Sequence, residues 1–207
     1  MVISIVGSGG KTTLLKQKAL EYRRQGKKVF VTTSTHMSIE PDTLLSDDPD
    51  VIIQHLETYG YVMAGVEDHH KIKELSYPTY EAVCRHADVV LVEADGSKHF
   101  PIKFPNATEP VIYDNTDKII IVCGLHALGK PAKEVAHRLE LVKQCLGISD
   151  DTTITSEHII QLVREGYVKP LRQMYPDVQL TIYPACDHAP EYQNMIPYII
   201  DQATASE

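Results

Sequence analysis

The chain has 207 residues, enough for one α/β domain with a well-buried core and few for two. With 43% hydrophobic and 23% charged residues it has an ordinary globular composition, and its formal net charge of −8 argues against broad, sequence-independent nucleic-acid binding, which needs a basic face. No apolar run approaches the ~20 residues of a membrane span, residues 1–6 are too short an apolar start for a signal-peptide core, and the four scattered cysteines (Cys84, Cys123, Cys145, Cys186) form no CxxC pair. The expectation is a cytoplasmic protein with reduced thiols and neither membrane nor nucleic acid as partner.

Short β-branched runs alternate with longer amphipathic stretches, the pattern of an α/β fold whose mostly parallel sheet is flanked by crossover helices. Residues 2–6 read as a first strand that stops at Gly7. A helix follows over about 11–25, with Leu14, Leu15, Ala19 and Leu20 on one face and Gly26 as its stop. Residues 29–32 form a second strand. The pattern weakens over 39–77, where 51–53 and 61–63 read as two short strands of a hairpin, a small insertion in an otherwise single domain. A helix is expected over 79–86. Residues 89–92 and 119–122 are apolar throughout, as strands buried on both faces are. Helices over 132–146 and 156–164, a strand over 180–183 and a helix over 191–202 complete the chain.

Between the first strand and the first helix stands Gly7-Ser8-Gly9-Gly10-Lys11-Thr12-Thr13. Glycines let backbone N–H groups converge on phosphate oxygens, and a helix N-terminus adds unpaired donors and partial positive charge. Lys11 can reach β- and γ-phosphates, and the Thr12 hydroxyl can ligate Mg²⁺. The expected ligands are therefore ATP or GTP with Mg²⁺, bound by Gly7, Ser8, Gly9, Gly10, Lys11, Thr12 and Thr13. The common GxxxxGK[ST] spacing would put its first glycine at Ile5, so this loop is a shorter form. It resembles the GTxGKT[TS] loop of Mur ligases and folylpolyglutamate synthetases. The competing reading is a glycine turn that merely joins strand to helix.

The strand at 89–92 runs into Glu93 and Asp95, two apart and so on one face of an extended chain. One carboxylate would serve the magnesium ion and the other would orient an attacking water or substrate. A plain turn-capping role for Asp95 before Gly96 competes with this. Lys11, Glu93 and Asp95 are thus the candidate catalytic residues, and Thr12 and Glu93 the candidate metal ligands. Thr33, Thr35 and His36 follow the second strand, where they contact a second substrate, complete the magnesium shell or simply face solvent. Lys98 and Lys103 flank the acidic element, where they neutralise a phosphate or carboxylate substrate or, the preferred reading for either alone, are ordinary surface lysines. His137 and Arg138 read as a helical pair, with Arg138 the nearest internal candidate for an arginine finger, because Arg23 and Arg24 sit at the far end of the first helix. Asp68, His69 and His70 diverge on any regular backbone and make no metal site by themselves.

Four further stretches narrow the picture. They are Val31 to Met37 (VTTSTHM), Glu93 to Lys98 (EADGSK) with Pro101-Ile102-Lys103 and Glu109-Pro110-Val111-Ile112, Val122 to Pro131 (VCGLHALGKP), and Val135 to Arg138 (VAHR). With GSGGKTT, in this order, they resemble the YqeC family over residues 2 to about 187. That family is described as an accessory protein of selenium-dependent molybdenum hydroxylases. The resemblance implies a small P-loop NTPase-like fold, a role in maturing or inserting the molybdenum cofactor, and a client hydroxylase as partner. Two positions depart from the family's pattern: Pro184-Ala185-Cys186-Asp187 stands where relatives tend to carry Asn-x-x-Asp, and His126 where an acid is expected. The leading expectation is a slow nucleoside triphosphatase acting as a maturation factor. A small-molecule kinase or ATP-dependent ligase, and a nucleotide-binding module without hydrolysis, are the alternatives.

Overall fold

The structure is a computed structural model and describes residues 1–205. The chain forms two compact units, the first built from Met1–Ile5, Thr12–Gly96 and Val111–Lys118, the second from Val6–Lys11, Ser97–Pro110 and the chain from Ile119 onward.

The first unit holds most of β1 (Val2–Gly7) and of α1 (Lys11–Arg24), then β2 (Val29–Thr33), β3 (His36–Ser38), β4 (Thr43–Leu45), α2 (Pro49–Tyr59), β5 (Tyr61–Asp68), β6 (Lys71–Lys73), α3 (Tyr77–Cys84) and β7 (Val89–Glu93). Its sheet runs β1-β7-β2-β5-β6-β3, with β4 also on β5. The pairs among β1, β7, β2, β5 and β4 are parallel, and those of β6 with β5 and β3 antiparallel. β1, β2 and β7 are buried at every position, as strands covered on both faces must be. Their register sets Ile5 and Thr33 on either side of Glu93, so three strands reach their carboxyl ends at one level. On one face Tyr80 is fully buried, stacks on Tyr113 at 4.0 Å between ring centroids, and donates its hydroxyl to Oδ1 of Asn115 at 2.9 Å.

Two expectations fail here for local reasons. Residues 51–53 are not a strand but lie in the first half of α2. Asp48 caps that helix by accepting from the N–H of Asp50, Pro49 takes the first turn, and Gly60 closes it in the left-handed region. Ile52 and Leu56, one turn apart, are its buried stripe; the apolar run at 51–53 concealed this spacing. In α1, Leu14, Leu15 and Ala19 are buried as expected, but Leu20 is 46% exposed, because at the helical period it points away from that stripe.

The second unit contains β8 (Ile102–Lys103), most of β9 (Lys118–Gly124), α4 (Ala132–Val135), β10 (Ala136–His137), α5 (Leu139–Leu146), α6 (Ser156–Val163), α7 (Lys169–Met174), β11 (Gln179–Ala185) and α8 (Ile196–Thr204). β9 and β11 are neighbours, and β10 pairs in parallel with β8. That small pairing breaks the helix expected over 132–146. His137 is drawn into register with Lys103, and Arg138 then takes φ 57 before α5 begins. The helix over 156–163 starts at a capping box, in which Thr155 and His158 exchange side-chain and backbone bonds. All four cysteines are free thiols. Among the described residues no helix is long and apolar enough to cross a membrane.

Candidate functional site

In the second unit β1 ends and the chain folds back on itself through Gly7, Ser8, Gly9 and Gly10. The N–H of Ser8 donates to the carbonyl of Val122 on β9 at 2.9 Å, and its hydroxyl donates to the carbonyl of Pro101 at 3.1 Å. Gly7 and Gly9 have φ of 93° and 78°, and no side chain fits at either. A Cβ on Gly7 would lie 2.0 Å from the carbonyl oxygen of Val122, and one on Gly9 2.5 Å from that of Pro101. The loop is thus a close backbone-to-backbone fit. Lys11 is 4% exposed and turns back over the loop, its ammonium donating to the carbonyl of Gly7 at 2.8 Å and to the hydroxyl of Ser97 at 3.2 Å. The positive charge therefore stands above the turn rather than in solvent.

α1 opens at Lys11 with no acidic residue in its first turn. No carboxylate of its own offsets the positive end of the helix, which can act on an anion brought to the loop. Thr12 is half-buried and Thr13, beside it in the first turn, is exposed. In the first unit the Thr12 hydroxyl donates to Oε2 of Glu93 at 3.3 Å. Neighbouring oxygens around an octahedral Mg²⁺ with ligands at ~2.1 Å lie about 3 Å apart, so this hydroxyl–carboxylate pair fits two adjacent positions of such an ion. Among the described residues no group of three or more His, Cys, Asp or Glu side chains is placed to hold a metal. An ion here would complete its shell with water and phosphate oxygens, as Mg²⁺ commonly does.

Glu93 is 7% exposed, and Asp95, two residues on, is fully buried. Around them the backbone is tied down. Ala94 donates to the carbonyl of Ile5, and the carbonyl of Glu93 accepts from the N–H of Ser34 and from the hydroxyl of Thr33 at 2.8 Å. The N–H of Thr35 donates to the Thr33 hydroxyl, while the buried Oγ1 of Thr35 has no hydrogen-bond partner among the described residues. The Thr33–Thr35 stretch therefore lies at the carboxyl edge of the sheet with Glu93. His36 is elsewhere in use: it lies in β3, with Nε2 2.9 Å from Oδ2 of Asp68, and that bond draws the Asp68 carboxyl below its usual range.

Three readings of basic residues change. Lys103 is not a surface lysine: its side chain is fully buried, with Nζ 2.7 Å from Oε2 of Glu109. Arg138 is not on a helix, and its guanidinium grips the same carboxylate through two bonds, at 2.6 and 2.8 Å. His137, read as half of a helical pair, is buried in β10, and burial followed by the charges of Arg138 and Lys103 pushes it down to about 4. Lys98 is exposed, with φ of 49°. The partners the sequence reading missed are Ser97, which receives Lys11, the carbonyls of Pro101 and Val122, and Glu109. Two of these are backbone atoms, which carry no sequence signal; Ser97 stands 86 residues from Lys11, and Glu109 stands 29 residues from Arg138 and six from Lys103.

A strand, a backbone-packed glycine loop, Lys-Thr and a helix follow one another along the chain and define the class: an α/β protein with a glycine-rich strand-to-helix loop. The family described as YqeC protein matches residues 3–140. The uncharacterized protein YqeC of Escherichia coli (strain K12) is 31% identical over 173 residues, covering 79% of this chain and 67% of that protein. The chain belongs to the YqeC family. The MinC:MinD cell division protein complex of Aquifex aeolicus aligns over 98% of this chain and 93% of its own at 16% identity, but the TM-score of 0.34 is too low to bear on fold or function.

Proposed function

We propose that this protein binds a nucleoside triphosphate with Mg²⁺ and hydrolyses it slowly, as a maturation factor for a selenium-dependent molybdenum hydroxylase. The observation that carries the nucleotide reading is the loop itself. Two glycines that admit no side chain bring backbone within contact of backbone, and the Lys11 ammonium is folded over the turn. A glycine turn that only joined strand to helix would have no need of a lysine held in that place. Gly7, Ser8, Gly9, Gly10, Lys11, Thr12 and Thr13 would hold the phosphates, and Thr12 and Glu93 the metal. A magnesium ion supplies Lewis-acid stabilisation of charge on the phosphoryl oxygens when bound. Asp95 would orient the attacking water.

The slowness follows from Arg138. Its guanidinium is engaged with Glu109 in the second unit, which argues against its serving as a finger on the transferring phosphate. A partner is then the source of that charge, and such a contribution is worth several orders of magnitude in rate. The client itself rests on the family resemblance. Calorimetric titration of ATP and of GTP into wild type and Lys11→Ala tests the binding. The variant is expected to lose nearly all affinity with an unchanged circular dichroism spectrum, and near-normal affinity would sink the reading. Phosphate release with and without the cofactor-free hydroxylase tests the client; fast turnover indifferent to it would favour a small-molecule kinase.

A further inference from the structure

Beside the glycine loop, the second unit carries two imidazoles that the proposal above leaves unused. His126 leaves β9 in the turn Leu125–Ala127, and His188 stands three residues beyond the end of β11. Their rings meet edge to face, with centroids 5.6 Å apart and planes at 84°. Gly124 lies between His126 and the loop. A Cβ on it would stand 2.8 Å from Cε1 of His126 and 2.9 Å from Cα of Gly9. Imidazole and phosphate loop therefore face one another across a position that has no side chain.

The two rings are open to a ligand. His188 is exposed and His126 half-buried. Burial, and after it the neighbouring His188 and Lys130, hold His126 below its ordinary pKa, so it is neutral at pH 7 and offers an uncharged aromatic face. Among the described residues no third His, Cys, Asp or Glu side chain joins them in a metal-holding group. A packing role does not account for His188, whose exposure leaves it little to pack. Both histidines follow the carboxyl ends of their strands, where open α/β sheets receive ligands.

We infer that the His126–His188 pair is the seat of the nucleobase, stacked on the face of one imidazole with the other at its edge, while the phosphates occupy Gly7–Lys11. This rests on the nucleotide reading and adds to it the residues that recognise the nucleoside. Stacking on an aromatic face is open to every base, so adenine and guanine gain alike.

The test is calorimetric titration of the full chain with inorganic tripolyphosphate, ATP and GTP, each with Mg²⁺. Wild type should bind all three, the nucleotides more tightly. In His188→Ala, and in His126→Ala, both nucleotides should weaken by about tenfold, as loss of one stacked base does, with tripolyphosphate unchanged. The histidine ring-proton resonances of wild type give a second reading that needs no stable His126 variant: ATP should shift two of them by ring current and tripolyphosphate should not. Nucleotide affinities that survive both substitutions overturn the inference, as do resonances that respond equally to ATP and tripolyphosphate. Wild type that binds tripolyphosphate as tightly as ATP overturns it while leaving the loop reading intact. Failure of wild type to bind any of the three overturns both.

Discussion

Glu109→Gln isolates the carboxylate that holds Lys103 and Arg138 in the second unit. Glu109 is 12% exposed at its side chain, and the Lys103 side chain it neutralises is fully buried. Burial alone would raise the Glu109 pKa, but hydrogen bonds from Arg138 and Lys103 outweigh it and bring the group down from 4.5 to about 2. A folded pKa below the unfolded one stabilises the protein above about pH 4.5, and that stabilisation is lost as pH falls toward 2. The span of the shift corresponds to about 3 kcal/mol, which agrees with the ~3–5 kcal/mol typical of removing one partner from a buried ion pair. Urea denaturation of wild type and Glu109→Gln at a series of pH values reads it directly. At pH 7 the variant should be less stable by about 3 kcal/mol. The two curves should converge as pH falls below 4.5, because a protonated Glu109 resembles the glutamine. A difference under about 0.5 kcal/mol at pH 7, the scatter of ordinary surface substitutions, would refute the reasoning, and so would a difference that does not change with pH.

Gly9→Ala should destabilise the chain by about 2 kcal/mol or more, because its methyl would meet the backbone of Pro101 at 2.5 Å and of Gly124 at 2.6 Å, neither of which can swing aside. Gly26→Ala, with φ 74° but open space around it, should lose only about 1 kcal/mol in the same thermal melts, and equal losses would show that the close fit of the loop is not what matters. Thr12→Ala and Glu93→Gln should each raise the Mg²⁺ concentration needed for half-maximal nucleotide binding; titrations that match wild type in both would place the metal elsewhere. Asp95→Asn should lower turnover by a factor of about 100 or more with little change in nucleotide affinity, since orienting water acts in the transition state, and parallel losses in rate and affinity would make Asp95 a binding residue.

The central strands, the glycine loop and the helix after it were legible from residues 2–24 and 89–93 because their signals are short-range. An apolar run marks a buried strand, and Gly-Lys-Thr marks the turn into a helix within a few positions. The 51–53 run was ambiguous for the same reason. Three apolar residues suit a strand or a helix, and the decision lay with Asp48, Pro49 and Gly60 at the helix ends. The sequence alone thus determined that a glycine-rich strand-to-helix loop exists and which residues compose it. Tertiary structure decided what those residues touch. Lys11 meets Ser97 across 86 residues and Thr12 meets Glu93 across 81, while Lys103 is buried and Arg138 leaves the expected helix, both around Glu109. Long side chains such as lysine and arginine carry no periodic mark of their partners. Which carboxylate or hydroxyl they reach is set by strand register and loop path, and the burial of a charge becomes tolerable only once that partner is in place.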